Sequence, residues 1–231
     1  MKSSLIVGGN GSLGKCLVQT FKKGGWSTVS LDLHHNEEAD VNILVDSNKS
    51  MKDQASRLLK AAIDANKKYD SIICAAGGFN LSSVKDMDIF DKYEEMDKMN
   101  FQTALMAAHI AAHTLNNKGF VVLTGAAAAY TSPINYAYAY GVSKAATHSL
   151  AMTLAQRTEI PADSCVVTLL PTVIDTEANR QSMPGADTKE WIDPKKLASL
   201  VYSWANGEQR PLNGSFGKIC FKKNTIVPNF L

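Results

Sequence analysis

Short β-branched runs alternate with longer helical patterns along this chain, and that alternation decides what it can fold into. Residues 4–7, 28–31, 42–45, 71–75, 120–124, 165–170 and 218–221 read as strands; residues 13–24, 51–66, 93–117, 139–157 and 194–205 read as helices. A strand that returns to its sheet through a helix lies parallel to its neighbour and leaves a helix on one face. No Pro-rich, Ser-rich or single-sign linker interrupts the pattern, so the expectation is one doubly wound α/β domain over residues 1–231, with seven parallel strands and helices on both faces. The composition supplies a full core, with 45% hydrophobic residues, and 24 Lys plus Arg against 22 Asp plus Glu leave a net charge of +2. So small a charge gives no reason to expect nucleic acid or an acidic membrane as partner.

The first strand runs into Gly8-Gly9-Asn10-Gly11-Ser12-Leu13-Gly14 and then a helical pattern, giving G-x-G-x-x-G at Gly9, Gly11 and Gly14. Glycines let the backbone turn tightly and approach a pyrophosphate, whose charge is then held by helix N-terminal amides, as in a Rossmann fold. A glycine turn with no ligand is the plain alternative. Asp32 favours the ligand: it lies eighteen positions after Gly14, at the end of the second strand, where an acid binds ribose hydroxyls. The same carboxylate repels a 2′-phosphate, and Leu33-His34-His35 supply no Arg or Lys to receive one, so NADH is expected over NADPH. Asp46, after the third strand, is placed to accept from the adenine amino group; a solvated turn aspartate is an equal reading.

Tyr140-Gly141-Val142-Ser143-Lys144 puts Tyr140 and Lys144 four apart on one helix face. Beside a dinucleotide, Lys144 can hold the nicotinamide ribose and, as a nearby cation, favour ionisation of Tyr140 from its usual pKa of about 10 towards working pH. Tyr140 then relays a proton. The fourth strand ends in Cys74-Ala75-Ala76-Gly77-Gly78, small residues where a cofactor would cross the sheet edge.

Together these residues resemble the short-chain dehydrogenase/reductase family, over essentially the whole chain. The glycine turn, Ala75-Ala76-Gly77, Asn100, Tyr140, Lys144 and residues 171–176 fall in family order. The resemblance implies a nicotinamide cofactor, with Pro171 and Thr176 joining its site, and a catalytic set of Asn, Ser, Tyr and Lys. Asn100 takes the first of these places, although it could equally do no more than kink its helix around a water. The family's spacing puts the serine at Ala127, within Thr124-Gly125-Ala126-Ala127-Ala128-Ala129, so that hydroxyl is missing. One such donor to a developing oxyanion is worth about 2–4 kcal/mol, and its loss suggests a substrate that is not a carbonyl.

Several strings, among them Asn36-Glu37-Glu38-Ala39, Asn179-Arg180, Ser182-Met183-Pro184 and Arg210-Pro211, are similar to those of family members that regenerate a tetrahydropterin from quinonoid dihydropterin with NADH. That resemblance implies a small pterin substrate, stacked on the aromatic after Gly77-Gly78, usually a tryptophan and here Phe79. Ala127 and Trp191 are further substrate-side candidates, with a core or lid role as the alternative for Trp191. Two rival functions stand beside this one: a ketone reductase that recruits Thr124 or Thr172, and a catalytically silent NAD sensor on the same fold.

Residues 99–113 are apolar on nearly every side, and the following long helix carries Ala145, Ala146, Ala151 and Ala155, which permit close approach. A homodimer through these two helices is expected, a thick monomer core being the alternative. His109 and His113 lack an acidic or cysteine partner and read as helix-packing residues, so no metal is expected. The four cysteines, Cys16, Cys74, Cys165 and Cys220, form no C-x-x-C pair and suit a reducing cytoplasm. Leu5-Ile6-Val7 is too brief an apolar stretch for a signal peptide or membrane span. The Lys22-Lys23 and Lys222-Lys223 pairs read as solvated charge.

Overall fold

A computed structural model describes residues 1–131, 134–222 and 225–231; Lys223 lies outside them. The strands are β1 (Ser3–Val7), β2 (Ser27–Asp32), β3 (Val41–Leu44), β4 (Tyr69–Cys74), β5 (Leu115–Thr124), β6 (Cys165–Pro171), β7 (Phe216–Lys222) and β8 (Thr225–Phe230). They form one sheet in the order β3-β2-β1-β4-β5-β6-β7-β8, parallel from β3 to β7. The expected seven strands are all there. The eighth corrects the all-parallel expectation: β8 runs antiparallel to β7, with Ile219 opposite Pro228. Proline has no N–H for a central ladder, which hides such a run in the sequence, but an edge strand tolerates it.

β1 is buried along its whole length, and its side chains alternate between two cores. Leu5 and Val7 join Val29, Leu31, Ile72 and Val121 on one face, beneath α2 (Met51–Ala65), α4 (Thr103–Thr114) and α6 (Tyr138–Leu154). Ile6 joins Ile73, Val122 and Val167 on the other, beneath α1 (Ser12–Lys23) and α8 (Pro194–Ala205). Helices thus cover both faces, as the alternation requires.

The helix expected over residues 93–117 is three pieces. It begins earlier, as α3 (Ile89–Met96), passes through a π-helical segment (Asp97–Gln102) and continues as α4, which stops at Thr114. Leu115 instead pairs with Tyr69 at the start of β5, and Lys118 has a φ of 61° in the irregular stretch that follows. Two short helices, α5 (Ala127–Thr131) and α7 (Glu177–Ser182), follow β5 and β6.

α4 is buried through Ala104, Met106, Ala107, Ala108, Ile110, Ala111 and Thr114, but Leu105 and His109 face outward, as do Val142, Ala145 and Met152 of α6. The outer face anticipated to be covered is open in the single chain. His109 and His113 are exposed there, ring edge to ring face at 4.9 Å, and do not pack inside.

Candidate active site

The carboxyl ends of β1, β2, β4, β5 and β6 open into a cavity of about 880 Å³ that reaches Val7, Asp32, Ala75, Thr124 and Pro171. This is the switch point of the sheet, where connections leave β1 and β4 for opposite faces. Gly8, Asn10, Gly11, Ser12 and Leu13 line it, while Gly9 and Gly14 lie beneath. Gly8 has φ +80°, and a Cβ on it would lie 2.5 Å from the Ala76 backbone nitrogen. At Gly14 a Cβ would collide with the Gly8 carbonyl, so glycine is what lets α1 approach β1. α1 starts at Gly11 with no side-chain cap and no acid in its first turn. Its free amides and dipole therefore point at the cavity uncompensated, which fits a pyrophosphate.

Asp32 is at the wall, its carboxylate accepting from the amides of Asn10 at 2.9 Å and His34 at 3.1 Å. Two amides leave a carboxylate with further acceptor capacity for ribose hydroxyls. Asp46 also lines the cavity, yet it closes its own turn, accepting from the Asn48 amide at 3.0 Å with Lys49 Nζ 3.8 Å away. Two supports were not legible as site residues. Asn36, buried, donates to the Gly9 carbonyl at 2.7 Å, and Gln54 holds the Asp46 turn through both its amide nitrogen and oxygen.

At the chemical end Tyr140 and Lys144 sit together as expected, with Nζ 6.0 Å from the phenol ring centre. Their electrostatics differ from the sequence expectation. Burial, with Tyr136 adding to it, pushes Tyr140 up to about 12, while burial draws Lys144 down to about 8. Desolvation disfavours phenolate and ammonium alike. Tyr140 is a neutral phenol, poised to donate. Lys144 Nζ donates to the Thr124 carbonyl at 2.9 Å, and Thr124 Oγ1 donates to the Cys74 carbonyl at 2.7 Å. Phe79, 41% exposed, meets Tyr140 edge to face at 5.0 Å.

Asn100 is buried in the π-helical segment and away from the cavity wall. Its Oδ1 accepts from the Gly78 amide at 3.0 Å, and its Nδ2 donates to the Gly78 carbonyl and to Ser143 Oγ. Those bonds tie it to the loop after β4 and to α6. Ala75, Ala76 and Gly77 do line the cavity, and a Cβ on Gly77 would lie 2.8 Å from Asn100 Oδ1.

Two substrate-side candidates lie off the cavity wall. Ala127 opens α5, and that turn sends its methyl into a buried cluster with Leu170 and Phe216, off the cavity wall. Trp191 is buried too, because its loop is tied back at Ile192, which donates to the Val173 carbonyl at 2.7 Å and accepts from Asp175. Pro171 and Thr176 reach the cavity, the latter also capping α7 by accepting from the Asn179 amide. Thr172, Asn179 and Ser182 line it as well. His148 was also missed: it is buried one turn beyond Lys144, at the spacing that had revealed Lys144 itself.

Residues 2–187 match the short chain dehydrogenase family. The chain belongs to that family. As a short-chain dehydrogenase it is an NAD(P)H-dependent oxidoreductase. It is 34% identical over 223 residues to a dihydropteridine reductase of Dictyostelium discoideum, with 94% of each chain covered. Its fold is that of a short-chain dehydrogenase/reductase from Serratia marcescens (TM-score 0.82, 20% identity, 97% of this chain and 98% of the other). It also matches BdcA, solved in complex with NADPH (TM-score 0.78, 20% identity, 94% and 92%). Among the described residues, no helix is long and apolar enough to cross a membrane.

Proposed function

We propose that this short-chain dehydrogenase reduces a quinonoid dihydropterin, such as quinonoid dihydrobiopterin, to the tetrahydropterin with NADH. The observation that carries the reading is that, among the described residues, the place where a carbonyl reductase needs a free hydroxyl has none. Position 127 is alanine and faces a buried cluster, and the Thr124 hydroxyl is committed to the Cys74 carbonyl. A quinonoid ring accepts hydride directly and needs one proton, so no alkoxide has to be stabilised. The 34% identical dihydropteridine reductase supports the same substrate class.

NADH, when bound, supplies the hydride. The chain's own residues do the rest. The uncapped start of α1 holds the pyrophosphate and Asp32 the adenosine ribose, where its charge disfavours a 2′-phosphate and gives the preference for NADH. Lys144 holds the nicotinamide ribose. Phe79 and the Tyr140 ring, at 71° to each other, make an apolar corner for a flat ring. Tyr140 gives its phenolic proton to a ring nitrogen of the pterin and regains one from solvent, so one hydride and one proton complete the two-electron reduction.

We further propose that the 231 residues act as one reductase domain in the cytoplasm, as a dimer formed by the open outer faces of α4 and α6. Exposed Leu105, Val142 and Met152 support that surface. Sedimentation of the wild type as a monomer at micromolar concentration would end the dimer. The decisive assay is NADH oxidation with chemically generated quinonoid dihydropterin beside a panel of small ketones. Pterin turnover with poor ketones is expected; strong ketone reduction without pterin activity would favour the Thr172 route, and NADH binding without any turnover a silent sensor.

A further inference from the structure

We propose that His148 is a positioning residue of the catalytic helix, gripping the loop after β5 so that Lys144 meets the cofactor ribose in one place. The proposal rests on the assignment of Lys144 to that ribose. His148 and Lys144 are four apart on one face of α6. They hold the loop on either side of Gly125: Lys144 Nζ donates to the Thr124 carbonyl at 2.9 Å, and the Ala126 amide donates to His148 Nε2 at 3.2 Å. Gly125 leaves no slack between them. A Cβ there would collide with His148 Nε2, and its own amide donates to the Leu169 carbonyl at 2.8 Å.

Accepting from Ala126 requires an unprotonated Nε2, and so the neutral ring. Burial, with the Lys144 cation close by, pushes the His148 pKa down to about 4, so the acceptor is present throughout the neutral range. The ring is held in place by edge contacts with Tyr130 at 5.7 Å and Phe216 at 5.8 Å, and those two rings stack on each other at 4.9 Å. The loop that carries the Thr124 carbonyl is thus tied to α6 at two points, on either side of Gly125. Remove the Ala126 bond and the loop beyond Gly125 loses its hold on α6, leaving the Thr124 carbonyl, with the ammonium it holds, free to tilt about the Gly125–Leu169 bond.

The test compares two substitutions of like chemistry and different reach, each made in the wild-type chain and on Lys144→Met. His148→Gln carries an amide acceptor to where Nε2 lies; His148→Asn stops short of it. The readout is the Kd for NADH by fluorescence titration, which assumes nothing about the substrate and so survives a failure of the pterin assignment. His148→Gln should bind NADH within about threefold of wild type, whereas His148→Asn should bind it about tenfold more weakly. On Lys144→Met, His148→Asn should add nothing, because it acts through the lysine. Equal losses in both backgrounds, or equal behaviour of the two substitutions, would overturn the proposal. If His148→Asn does not fold, a tenfold loss in folded His148→Gln overturns it alone. Wild-type affinity in Lys144→Met would remove the lysine assignment first, and the role of His148 with it.

Discussion

The two ends of the cavity are built by different means. At the cofactor end the shape is backbone: Gly8 at positive φ, Gly14 against a carbonyl, an uncapped helix start and one acid, all within the first 32 residues. At the chemical end it is side chains from α6 and the loops after β4 and β5, brought together over long separations and then tuned by burial. The cofactor end acts through backbone shape and through charge set locally, by the helix dipole and one carboxylate. The chemical end acts through side chains whose protonation at Tyr140 and Lys144 is set by burial in the whole fold.

That contrast can be broken most sharply at Tyr140. Tyr140→Phe removes the proton donor and keeps the ring, so kcat should fall by about 10² to 10⁴ with NADH affinity nearly unchanged. Full activity in that variant would mean that water delivers the proton. The mirror experiment is Asp32→Ala, which should leave kcat with NADH near wild type while narrowing the advantage of NADH over NADPH by roughly 1–3 kcal/mol, the worth of a charged hydrogen bond. A wild-type preference for NADPH would refute the reading of β2.

Lys144 sharpens the comparison through pH. Its folded pKa, about 8, lies below the 10.5 of the unfolded chain. Below pH 8 the lysine is charged in both states and the folded state carries the whole cost of burying it; stability returns as pH rises from 8 to 10.5, where the unfolded chain alone still binds the proton. Lys144→Met should therefore raise stability at pH 7 by about 2 kcal/mol, after allowing for the lost Thr124 hydrogen bond, with the gain fading across that window. Urea melts at pH 7 and 10 read it; a variant less stable at both would contradict the shift. The smallest effect is expected at Ala127. Ala127→Ser should leave pterin reduction within about twofold and cost about 1 kcal/mol, because its hydroxyl enters the apolar cluster with Leu170 and Phe216. A large gain on ketones would show that the side chain reaches the substrate after all.

The same contrast explains what could be read without coordinates. Periodicity and glycines revealed β1 to β7, the glycine turn and Asp32, because those signals are local. Pro228 hid β8, and the π-helical segment hid inside the continuous helical pattern of residues 93–117, where Asn100 reaches Gly78, 22 residues away. Tyr140 and Lys144 were legible from helical spacing, but not their protonation, since burial is a property of the whole fold. The burial of Ala127 and Trp191 was not legible, because where a loop side chain points is decided by tertiary packing. His148 could have been found by carrying the four-residue step one turn further.

The strand that the sequence concealed has a consequence for how the protein behaves in a crowded solution. A sheet ending at β7 would expose a seven-residue parallel strand with its hydrogen-bonding edge unpaired, a template for another chain. β8 covers it and carries Pro228, so the new rim is short of one donor and interrupted in its middle. The opposite rim, β3, is only four residues long. Neither border invites continuation into a larger sheet, and resistance to aggregation is built into the ends of the sheet.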